Sequence, residues 1–88
     1  MNLNSAPVLT VYGRPDCHLC TELWAQLQPL LADHRVAVRY VDIDGDAELT
    51  RRYALRIPVL AAQDAELCEY RLDRERLQAY LDAHATDR

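Results

Sequence analysis

Cys17 and Cys20, in the stretch VYGRPDCHLC, stand two residues apart directly after an apolar run. Such a pair can cycle between dithiol and disulfide, supply two of the four ligands of a zinc ion, or fill space as small core residues. The redox option needs an accessible thiolate and a second sulfur that resolves the mixed disulfide it forms. A zinc site needs two further ligands, for which His18, His34, Cys68 and His84 are the candidates, yet no second Cys-x-x-Cys and no closely spaced His pair follows. Nothing in the sequence argues for an iron–sulfur cluster shared between two chains.

The segments around the pair assign its two sulfurs different surroundings. VLTVY (8–12) is a short β-branched run closed by Gly13 and Pro15, which predicts a buried strand. From Cys17 the apolar residues Leu19, Leu23, Leu27 and Leu30, widened by Trp24 and Leu31, repeat at the helical period. Cys17 then falls at the first turn, where unpaired amides and the macrodipole favour a thiolate, and Cys20 falls near the middle of the apolar stripe. One sulfur faces out and the other inward. Pro29 removes a backbone donor and predicts a kink or a break in the last turn.

Further along, VAVRYVDI (36–43) is a second strand and DAELTRRYA (46–54) a short helix capped by Asp44 or Asp46. IPVLAA and ELCEYRL flank the polar tip QDA as a hairpin, and Asp73 caps a last helix, RERLQAYLDAH, before ATDR frays. The order is βαβαββα. Two strands joined by a helix are parallel with a right-handed crossover, so the expectation is an α/β sandwich: a mixed four-stranded sheet flanked by helices, as one domain over residues 1–88.

Composition limits the partners. The 88 residues are half apolar and 27% charged, with 10 basic against 14 acidic side chains and a net charge of −4. No basic run interleaved with aromatics suggests a nucleic-acid surface, and no apolar stretch is long enough to span a bilayer. MNLNSAPVLT lacks the features of a secretory signal, which predicts a cytoplasmic protein. The expectation for partners is a monomer that binds neither membrane nor nucleic acid. Three cysteines, an odd number, do not make a structural disulfide framework there.

With strand, loop, Cys-x-x-Cys and helix in this order and IPVL opening the third strand, the sequence resembles the glutaredoxin-like proteins of the thioredoxin superfamily, from Val8 to about Ala83. The resemblance implies a thiol–disulfide oxidoreductase in which Cys17 attacks and Cys20 resolves. It also implies a cis Ile57-Pro58 bond whose neighbouring backbone lies open to an extended substrate. Tyr12, Arg14 and His18 join Ile57 and Pro58 as residues of that groove. Arg14 matches the basic residue that family members direct at a glutathione carboxylate. No tightly bound cofactor is implied. Glutathione would be a co-substrate, the substrate a disulfide-containing protein or a glutathione mixed disulfide, and the electron donor glutathione or a reductase.

Two departures bear on that expectation. His18 and Leu19 stand between the cysteines where glutaredoxins carry Pro-Tyr and thioredoxins Gly-Pro; protonated His18 favours a thiolate at Cys17 and Asp16 opposes it. CEYRLD has no glycine where glutaredoxins show Gly-Gly after the fourth strand. The alternative is a non-enzymatic module of the same fold that holds a metal or a partner peptide at this surface.

Other features have plainer readings. DIDGDA opens like a calcium loop through Asp42, Asp44 and Asp46, but Ala47 stands where glycine is needed and Tyr53 where a bidentate glutamate is needed. Cys68 packs in a sheet face, Trp24 belongs to the helix stripe, and His34 and His84 sit near helix ends. Arg51, Arg52 and Arg56 form a solvated face, with Arg56 adjacent to the rim of the groove.

Overall fold

The computed structural model describes residues 7–63 and 65–84. The readings made for the N-terminal stretch before Pro7, for Asp64 at the hairpin tip and for the fraying ATDR tail fall outside those residues.

The two-residue alternation of side chains along β1 (Val8–Gly13) sends Leu9, Val11 and Gly13 to one face of the sheet and Thr10 and Tyr12 to the other, and the three residues Leu9 to Val11 are all buried. On the first face lie α1 (His18–Leu31), through Leu23, Leu27 and Leu31, and α3 (Arg74–His84), through Leu77 and Leu81. Truncating any one of these leucines to alanine costs about 2–5 kcal/mol. The other face carries a smaller cluster of Ile43, Tyr53 and Val59, which α2 (Ala47–Tyr53) covers together with Tyr12, Leu49 and Ile57. This is a two-sided sandwich around one sheet.

The sheet order is β2-β1-β3-β4. β2 (Ala37–Asp42) runs parallel to β1, while β3 (Val59–Ala61) is antiparallel to β1 and to β4 (Glu66–Glu69). Element order and mixed sheet are those that the sequence predicts. The parallel pair places the C-terminal end of β1 and the start of α1 at the same edge of the molecule.

Four local expectations change. The helix from Cys17 runs unbroken to Leu31 with Pro29 inside it, because that proline stands so near the C-terminus that the lost donor affects only the final turn; the Ala32 amide donates to the Pro29 carbonyl instead. Leu19 leaves the stripe and is 37% exposed. β2 stops at Asp42, whose carboxylate accepts from the Asp44 amide and turns Ile43 into the second cluster, while Asp46 rather than Asp44 caps α2. β4 ends at Glu69, short of the predicted ELCEYRL run, because Tyr70 takes a left-handed backbone with φ 68°. Among the described residues no helix is long and apolar enough to cross a membrane.

Candidate redox site

Cys17 is the N-cap of α1, with an extended backbone. Its Sγ accepts a hydrogen bond from the Cys20 amide at 3.1 Å, and its carbonyl accepts from the Thr21 amide and hydroxyl. A cap sulfur that accepts an orphan amide is held in a field favouring negative charge. Cys17 and Cys20 are joined as a disulfide with Cα atoms 5.2 Å apart. Cys20 has no solvent exposure, whereas Cys17 is only half-buried. The outward and inward assignment made from helical spacing describes the oxidised pair.

Gly13 explains how the buried sulfur fits under the strand end. A Cβ at Gly13 would lie 2.8 Å from Cys20 Sγ and 2.5 Å from the Tyr40 hydroxyl, closer than real Cβ atoms approach either. Its φ is not positive, so space rather than backbone conformation demands glycine. The Tyr40 hydroxyl donates to the Arg14 carbonyl at 2.7 Å, and the ring meets Trp24 edge to face with centroids 5.6 Å apart. Burial, then the charge of Asp42, pushes the Tyr40 phenol above its ordinary range.

The remaining sequence candidates divide. The Ile57-Pro58 peptide is cis, Pro58 is buried, and the register that sets Tyr12 opposite Val59 carries Pro58 toward the strand end where Gly13 meets Cys20. Arg14 lies in the loop leading to Cys17, and its Nε–H bonds Asp44 Oδ1 at 2.6 Å. His18 is exposed and pairs with Glu22 one turn along at 3.0 Å. Tyr12 lies on the opposite sheet face from Cys20, stacked on Tyr53 at 4.4 Å. Arg56 is held by Glu66 and Glu69 and sits 5.3 Å from the Tyr53 ring centre. Cys68 is half-buried and unpaired, and burial pushes its thiol up. His84 is exposed, stacked on Tyr80. Among the described residues no three His, Cys, Asp or Glu side chains come together in a metal-binding group.

Two residues that sequence reasoning passed over belong to the site. Tyr40 is one; its alternation with Val38 in β2 could have flagged it as facing α1. Tyr70 is the other. Its amide donates to the Pro58 carbonyl at 2.8 Å and its hydroxyl to the Leu55 carbonyl at 2.6 Å, so it straps the segment preceding β3. Between Tyr70 and Leu19 lies an open groove of about 280 Å³, floored by Leu23 and Leu72 and rimmed by Arg71 and Arg74. In CEYRLD, which lacks the glycines that glutaredoxins show after the fourth strand, Tyr70 itself takes the left-handed backbone.

Sheet order, helix placement and a Cys-x-x-Cys pair at the start of α1 together define a thioredoxin-like α/β fold. The chain belongs to the glutaredoxin-like domain family (DUF836), whose model matches residues 8–82. The solution structure of protein Ne2328 from Nitrosomonas europaea is similar, with 43% identity, a TM-score of 0.78, and coverage of 91% of this chain and 96% of that one. Protein XcR50 from X. campestris gives 41% identity, a TM-score of 0.66, and coverage of 85% and 96%. A thioredoxin from Halobacterium salinarum, at 21% identity and a TM-score of 0.63 over 91% of this chain and 75% of that one, shares the fold. No curated protein matches the chain.

Proposed function

We propose that this protein is a thiol–disulfide oxidoreductase that reduces or exchanges disulfides in protein or glutathione substrates. The observation that carries the reading is the unequal exposure of the two joined sulfurs: Cys17 half-buried at a helix N-cap, Cys20 fully buried one turn on. In the reduced protein the Cys17 thiolate attacks one sulfur of a substrate disulfide. A Cys17–substrate disulfide forms and the other substrate sulfur leaves as a thiolate that takes a proton from solvent. Cys20, deprotonated, then attacks Cys17 Sγ; the second substrate thiolate leaves and the Cys17–Cys20 disulfide remains. Two electrons pass from protein to substrate. A thiol reductant, glutathione or the dithiol of a reductase, restores the starting state.

Ile57 and Pro58 form the wall along which an extended substrate lies, and the groove between Leu19 and Tyr70 receives its flanking residues. Arg14, although paired with Asp44, keeps guanidinium donors for a carboxylate, and His18 borders Cys17 on the exposed side. The protein works as a cytoplasmic monomer in this reading. The competing reading, a module that binds a metal or peptide at this surface, predicts thiols that never interconvert. A redox titration of wild type beside Cys20→Ser, with mass-tagged thiols counted at each glutathione ratio, separates the two. One two-electron step at Cys17 and Cys20, and a mixed disulfide that accumulates at Cys17 in the variant, support the oxidoreductase. Thiols that show no couple and stay masked until metal is chelated would overturn it.

A further inference from the structure

The resolving step places a demand on Cys20 that neither sulfur meets alone. To attack Cys17 Sγ it must become a thiolate at a position without solvent exposure, and a buried anion without a hydrogen-bond donor is costly. The Tyr40 hydroxyl comes up against the same side of Gly13 as this sulfur. Both atoms lie within 2.8 Å of one position, the Cβ that Gly13 lacks, so they border one gap, which a small shift of the released sulfur or a single water can bridge. The phenol is a neutral donor, whose ionisation burial disfavours, and its hydrogen now points to the Arg14 carbonyl. A hydroxyl hydrogen reorients by rotation about one bond.

We propose that Tyr40 is a positioning residue for the resolving sulfur: its hydroxyl turns from the Arg14 carbonyl to Cys20 and donates to the thiolate formed there. This rests on the oxidoreductase reading above. Tyr40 gives up no proton. The Cys20 proton goes to solvent, Cys20 Sγ bonds to Cys17 Sγ, and the Cys17–substrate bond breaks with the electron pair on the departing sulfur. The hydroxyl then returns to Arg14, as in the disulfide form. Gly13 is what lets donor and sulfur meet. The groups around them that carry no charge come from two elements: β1 contributes Val11 and Gly13, and α1 contributes Cys17, Cys20 and Trp24. From β2 comes Asp42, whose charge opposes a nearby anion, and from the loop come exposed Asp16 and Arg14, whose guanidinium bonds Asp44.

Reaction of the reduced protein with dithiodipyridine, in a Cys68→Ser background, reads the two steps apart. Attack by Cys17 releases one thiopyridone, and resolution by Cys20 releases the second. Tyr40→Phe keeps the ring against Trp24 and should leave the first release unchanged. The second should slow about tenfold, its pH midpoint rising by about one unit, the loss of one hydrogen bond to a charged group. Equal second phases and equal pH profiles in both proteins would overturn the proposal and leave the oxidoreductase standing. No second release in the wild type would overturn both. Should Tyr40→Phe fail to fold, Cys17→Ala supplies the second measurement: the Tyr40 Cζ resonance should move as Cys20 titrates, and a resonance that does not move refutes the contact.

Discussion

The Tyr70 amide donates to the Pro58 carbonyl at 2.8 Å, from a residue whose own φ of 68° is unfavourable for any side chain. A non-glycine residue in that region loses about 1–2 kcal/mol. What offsets the loss is visible: the phenol reaches back to the Leu55 carbonyl and lines the groove beside Leu19. Tyr70→Gly should therefore change the denaturant midpoint little, since relief of the backbone and loss of one hydrogen bond of about 1 kcal/mol nearly cancel. It should widen the groove and raise turnover of a glutathionylated peptide several-fold. Equal turnover in the two proteins would show that the ring does not limit access.

How far the sequence could be read follows from which signals are periodic. Val8 to Tyr12, the Leu23-Leu27-Leu31 stripe and Leu77 with Leu81 repeat at strand and helix periods, so the element order and both layers were legible in them. The two cysteines were legible because spacing on a helix sorts inside from outside. What escaped depends on contacts between segments far apart in the chain. Nothing local to Tyr40 says that its hydroxyl and the Cys20 sulfur both come up against Gly13, and nothing local to Arg56 says that Glu66 and Glu69 will hold it. Tyr70 escaped for the opposite reason: a left-handed turn is expected of glycine, and here a hydrogen bond at each end of a tyrosine sustains it.

The Arg56–Glu66 pair predicts an acid limb of stability. Hydrogen bonds from Arg56 hold the Glu66 carboxylate below its ordinary range in the folded protein. A carboxylate with a lowered folded value stabilises the fold above its unfolded value, and that contribution is lost as pH falls through the folded value. Denaturant midpoints followed from neutral into acid should fall in wild type through this window. In Arg56→Gln the fall should be shallower, with a lower starting point at neutral pH. Parallel curves for the two proteins would refute the link.

Burial orders the thiols of the reduced protein by reactivity. Cys68 has its thiol pushed up, so its thiolate fraction at neutral pH is smaller than that of an ordinary cysteine, whereas Cys17 accepts an amide hydrogen bond at an exposed helix start. Iodoacetamide labelling followed by peptide mass analysis should modify Cys17 several-fold faster than Cys68, because burial both withholds the Cys68 sulfur from the reagent and disfavours its thiolate. Comparable rates would mean that the helix start does not activate Cys17.

Gly13 tests the packing on which the resolving sulfur depends. A methyl group there would enter the space between Cys20 Sγ and the Tyr40 hydroxyl, and neither is the loose end of a long side chain: the sulfur is tied to α1, and the phenol is fixed by Trp24 and the Arg14 carbonyl. Gly13→Ala should destabilise the protein by about 1–3 kcal/mol, the usual range for forcing a methyl into a filled site. Removing the hydroxyl first should make room, so the same substitution should cost measurably less in a Tyr40→Phe background. A double-mutant cycle on denaturant midpoints reads that difference directly. Additive losses would mean that Tyr40 and the methyl do not compete for the same space, and that the hydroxyl stands farther from the sulfur than Gly13 requires.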